Sequence, residues 1–78
     1  MHDPVPSAGL HHGRVTAFDQ RAGLGTVADD LGPRYEFHAT AIADGSRRIE
    51  VGTEVMFLVR PGHRGRYEAR SLVPSATG

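Results

Sequence analysis

Nine arginines, five histidines and five aromatic rings are the side chains of this 78-residue chain with most chemistry to offer. A guanidinium presents a planar fork of donors that matches phosphate oxygens, and it can stack on a base. Arg14, Arg34, Arg47, Arg48, Arg64 and Arg66 are the candidates for such contacts, with Tyr67 offering a ring near the rim. Nine Asp and Glu stand against them, and the formal net charge is zero with neutral histidine. Bulk charge therefore cannot hold a polyanion or a membrane, and the same arginines read equally well as solvated surface groups. His11-His12, with His2 nearby, could coordinate a transition metal, but no third ligand stands at a fixed spacing and no metal is expected. His63 falls in a glycine-flanked turn and reads as exposed.

Other chemistries find little to work with. The chain has no cysteine, which removes disulfides, thiolate metal sites and cysteine nucleophiles. No Ser-His-Asp arrangement has a recognisable context, and Asp29-Asp30 read as turn residues rather than as paired carboxylates on a cleft. Gly23 and Gly25 do not form a phosphate cradle, because neither a lysine nor a helix start follows them. They read instead as permissive backbone in a strongly bent strand. No enzyme activity, catalytic residue or cofactor is expected. No apolar run approaches the ~20 residues needed to span a bilayer, and Met1 to Leu10 lacks the pattern of a secretory signal. A soluble cytoplasmic protein without membrane contact is expected.

Positioning any of these groups falls to a small all-β scaffold. Apolar stretches alternate with turn signals every eight to twelve residues between Gly13 and Val73. Five strands are expected: Gly13–Phe18, Leu24–Ala28, Arg34–His38, Glu54–Val59 and Arg66–Leu72. Thr40-Ala41-Ile42 suits one helical turn in the long connection from Ala39 to Gly52. Five short strands favour a closed barrel, since closure removes edges that would pair with other chains. The expected interior is Val15, Val27, Tyr35, Phe37, Ile42, Val55, Phe57, Val59, Ala69 and Leu72. Residues 1–12 and 74–78 show no hydrophobic period and are expected to be disordered tails around a barrel over 13–73.

Several of these residues together resemble a known family. Gly13-Arg14-Val15 with Phe18-Asp19, the Gly23-x-Gly25 pair, Phe37-His38 with Ala41-Ile42, Val51-Gly52-Thr53-Glu54-Val55-Met56-Phe57, and Gly62-His63-Arg64-Gly65 follow the order and spacing of a bacterial cold-shock domain. The resemblance implies a five-stranded small OB-type barrel that binds single-stranded DNA or RNA. Such domains lay bases on outward aromatic rings of strands one to three, each stacked base being worth ~1–3 kcal/mol. This chain departs from that platform. Ala17 stands where the family has Trp, and Leu24 and Thr26 stand where it has Phe. Glu36 replaces the outward aromatic of strand three, Ala39 follows His38 where another Phe is usual, and Ser46 stands near a further aromatic position.

Two functional expectations follow. The first is weak, strongly salt-dependent binding of single strands through Phe18, His38, Arg64 and Arg66, with Glu36 repelling phosphates. His38 reads either as a stacking ring or as one half of a surface pair with Glu36. The second is a protein-interaction or self-associating module that no longer binds nucleic acid. It rests on Leu24 and on Met56 and Leu58, which alternate outward from the core face of strand four and offer a surface for a protein partner or a homodimer. Cover by the chain's own loops or tail would account for the same residues.

Overall fold

Period-2 alternation of apolar and polar residues builds strands that bury one face, and all five expected strands form. The structure is a computed structural model that describes residues 9–62 and 65–75. Strands β1 (His11–Asp19), β2 (Leu24–Asp29), β3 (Arg34–His38), β4 (Glu54–Pro61) and β5 (Tyr67–Pro74) close in the order β1-β2-β3-β5-β4. One 3₁₀ turn, Ala39–Ala41, follows β3. The fold is a five-stranded small barrel of OB type, antiparallel except where β3 meets β5 through the parallel pair Glu36–Glu68.

The buried cluster consists of the ten residues expected from the sequence, with Phe18, Ala41 and Ile49 packed against it. Phe37, Phe57, Leu72, Val15, Val27 and Val55 are fully buried. Burying each larger side chain contributes about 1.5–3 kcal/mol. Ile42 bridges to Leu72, and the Ala43 N–H donates to the Leu72 carbonyl at 2.9 Å, so the long connection caps the barrel where β5 leaves it.

Two bulges set the phase of the strands. Val15 faces Val27 while Ala17 faces Thr26, so Thr16 is an extra residue on β1. The inserted residue reverses the alternation: Ala17 turns outward and Phe18 turns towards Gly25. On β5, Ser71 and Leu72 oppose the single residue Phe57, and Ser71 takes a left-handed backbone with φ 56°. That insertion lets Ala69 and Leu72, three positions apart, both face the core.

The edges of the elements differ from expectation. β1 starts at His11 rather than Gly13, so His11 and His12 belong to the barrel and not to a tail. β2 reaches Asp29, which is buried rather than a turn residue. β5 runs to Pro74, and the Ser75 N–H donates to the Glu54 carbonyl.

A buried polar pair explains the early start of β1. His11 Nδ1 donates to Asp29 Oδ2 at 2.6 Å, and both residues are only 6% exposed. The other oxygen of Asp29 accepts the Leu31 N–H at 2.9 Å. The imidazole stacks on Phe57 at 5.4 Å and meets Tyr35 edge-on at 6.1 Å. Burial, and secondarily the neighbouring Asp29, pushes the Tyr35 hydroxyl above its usual pKa. His11, Tyr35 and Phe57 thus plug one end of the barrel, while Phe18 and Phe37 stack in parallel, at 5.9 Å, towards the other.

Candidate nucleic-acid interface

The outward residues of β1 to β3 form one wall. Pairing aligns Ala17, Thr26 and Glu36 in one row, and Asp19, Leu24 and His38 in the next. Leu24 is 42% exposed, Glu36 and His38 are exposed, and Thr26 is half-buried. No aromatic ring joins His38 on these two rows, because Tyr35, Phe37 and Phe57 are all directed into the core. Asp19 and Glu36 line the shallow depression over this wall, together with Phe18 and Leu24, and among the described residues no base lines it.

Phe18 differs from the outward ring that simple alternation gives. The bulge at Thr16 turns it inward over Gly25, where it is half-buried against Phe37. A Cβ at Gly25 would run into the Phe37 ring, so that glycine is the space into which Phe37 fits. Phe18 still lines a groove of about 540 Å³ with Gln20, Arg48, Ile49, Glu50 and Val51.

His38, at the end of β3, faces a second groove of about 350 Å³. Its lining is Gln20, Arg21, Ala22, Gly23, His38, Ala39, Thr40 and Arg47, drawn from the β1–β2 turn and from the connection after β3. Local hydrogen bonding builds both sides. Asp19 Oδ1 accepts the Arg21 and Ala22 N–H groups, and the Gly23 N–H donates to the Asp19 carbonyl, which closes the turn. The Ala39 N–H donates to the Gly23 carbonyl at 2.9 Å and joins the two segments. Opposite, Asp44 Oδ1 accepts the Ser46 N–H, and these bonds hold the Asp44 carboxyl below its usual pKa. Ser46 Oγ donates to the Arg48 carbonyl and accepts the Arg48 N–H, bracketing Arg47 in a left-handed conformation with φ 59°.

The residues singled out from sequence are distributed unevenly. Phe18 and His38 lie at the same end of the barrel. Arg64 lies outside the described residues. Arg66 is exposed, and its carbonyl accepts the Gly62 N–H at the tip of the β4–β5 hairpin. Extending the Glu36–Glu68 register by two residues sets Arg66 level with Arg34, whereas His38 is level with Arg70. Arg70 and Glu68 indeed share a small depression with His38, and the two form an ion pair at 3.5 Å. The basic residues brought to His38 are therefore Arg21, Arg47 and Arg70, of which the sequence reading had named only Arg47. Arg21 carried a weak signal: it sits in the turn between the first two strands, and that turn must lie beside the end of the third.

Met56 and Leu58 are half-buried on the outer side of β4, while Val73, which pairs with Met56, is 42% exposed. No protein-family model matches the chain, and no curated protein matches it. Geometry alone carries the functional reading.

Proposed function

We propose that this protein binds single-stranded DNA or RNA weakly, at the end of the barrel where His38, Phe18 and the surrounding arginines meet. The observation that carries the reading is that Arg21 and Arg47 line the same groove as the exposed His38, with no acid lining it among the described residues. A guanidinium beside a ring that can stack offers both a phosphate contact and a base contact. The bare wall sets the strength. Three missing stacked bases at ~1–3 kcal/mol each weaken binding by hundreds-fold or more relative to a full aromatic platform. Dissociation constants on the order of 1–100 μM are expected, the range of non-specific contacts. The proposed site residues are His38, Arg21, Arg47, Phe18 and Arg48, with Arg66, level with the far end of β3, and Arg64, outside the described residues, as outlying phosphate contacts.

A labelled single-stranded oligonucleotide titrated at about 20 mM and at about 200 mM salt tests this. Each phosphate contact contributes a slope of ~0.7 in log affinity against log salt for single strands. Two to four contacts then mean a loss of roughly 25- to 600-fold over that tenfold range. Absence of binding at high micromolar protein in low salt overturns the proposal. The reading as a protein-interaction module is served less well, because Met56 and Leu58 are half-buried within the single chain.

A further inference from the structure

We propose that the groove between the β1–β2 turn and the connection after β3 is a site for a terminal phosphate, that is, for a phosphomonoester at the end of a strand or on a free nucleotide. The inference rests on the nucleic-acid reading above and assigns its ligand.

The argument begins with the distribution of charge. At this end of the barrel the wall carries Asp19 and Glu36, and its continuation towards β5 carries Glu68 paired directly with Glu36, whereas the exposed Arg14 and Arg34 of the same wall lie a row further on, level with Ala28. Among the described residues the groove is lined by Arg21, Arg47 and His38 and by no acid. Of the neighbouring acids, Asp19 and Asp44 are turned back onto backbone N–H groups of their own turns, and Glu68, which shares a depression with His38 and Thr40, is paired with Arg70 at 3.5 Å. A strand crossing the barrel in the extended manner would carry its phosphates over Glu36 and Glu68. A strand that ends in the groove meets the two guanidinium groups and leaves without crossing those carboxylates. A terminal phosphate also carries close to one more negative charge than a bridging phosphodiester near neutral pH.

The floor of the groove suits such a group. Ala22, Gly23 and Ala39 form it with little side-chain bulk, and an added Cβ at Gly23 would be 3.7 Å from that of Ala39. Gln20 and Thr40 add neutral polar groups at the rim. The backbone at Arg47 is fixed by its own loop. A left-handed backbone favours Gly or Asn, yet an arginine occupies it, bracketed by the two hydrogen bonds of Ser46.

Fluorescence anisotropy with short pyrimidine oligonucleotides decides the matter. The probes carry a phosphate at the 5′ end, at the 3′ end, or hydroxyls at both, with the dye on the opposite end. The added charge beside two guanidinium groups predicts tighter binding of a phosphorylated end by roughly fivefold or more at low salt. Arg21→Gln and Arg47→Asn each reduce that preference towards one. Asparagine tolerates the left-handed backbone, so the second variant removes the charge without adding strain. Arg60→Gln, on β4 away from the groove, retains the preference. Competition by a nucleoside monophosphate at the same concentration as the phosphorylated strand identifies a free nucleotide as the ligand; failure to compete identifies the strand end. Equal affinity for phosphorylated and hydroxyl ends overturns this inference while the strand-binding reading stands. Absence of binding by every probe overturns both.

Discussion

Replacing Asp29 by alanine is the sharpest test of what holds the barrel together. The carboxylate bonds to His11 Nδ1 at 2.6 Å and to the Leu31 N–H at 2.9 Å, with both Asp29 and His11 buried. Removing one partner of a buried pair costs about 3–5 kcal/mol, because the remaining polar group stays out of water without its counterpart. A domain of this length has a total stability of about 4–12 kcal/mol, so the loss takes between a quarter and all of it. At roughly 4–8 °C per kcal/mol for a domain of this size, the melting temperature falls by about 12–40 °C. His11→Ala acts through the same contact and also removes the ring stacked on Phe57. The double variant separates the terms: if the two residues stabilise the fold through each other, its cost is less than the sum of the single costs by about 1–3 kcal/mol. Thermal melts followed by circular dichroism, supported by urea titrations, supply the three values. A fall of less than about 4 °C for Asp29→Ala, or additive single costs, would refute the view that this pair anchors the start of β1.

Other consequences are equally direct. Gly25→Ala drives a methyl group into the Phe37 ring and is expected to cost about 1–3 kcal/mol or to prevent folding, as measured by urea unfolding. Ser71 lies at φ 56°, so Ser71→Gly leaves stability unchanged or raises it by up to ~1 kcal/mol, whereas Ser71→Val lowers it by at least that much. The folded pKa of Tyr35 is raised, so its contribution is intact below the unfolded value near 10 and is lost as pH rises through the folded value. Melting temperatures should fall more between pH 9 and pH 11 for the native chain than for Tyr35→Phe. Phe18→Ala removes a half-buried ring stacked on Phe37, which predicts a loss of ~1–3 kcal/mol in stability together with weaker oligonucleotide binding at low salt.

Local pattern by itself determined the class of fold and the interior. A side chain's face on a strand follows from counting by two, and the ten apolar residues at those positions are the ten that pack together. The poverty of rings on the outer wall was legible for the same reason: Thr26, Glu36 and His38 alternate with Val27, Tyr35 and Phe37. Phe18 escaped that count, since a bulge at Thr16 inserts a residue without changing composition and reverses the phase beyond it. Tertiary structure alone decided the rest, because it depends on which distant segments closure brings together. His11 looked like part of a tail until barrel closure placed it against Asp29, eighteen positions away. Arg21 and Arg47 had no shared pattern in the chain, and they meet His38 only because the turn after β1 and the connection after β3 end on the same side of the barrel. A residue's face is a local property of the backbone, whereas a site made from two loops is a property of how the whole sheet curls.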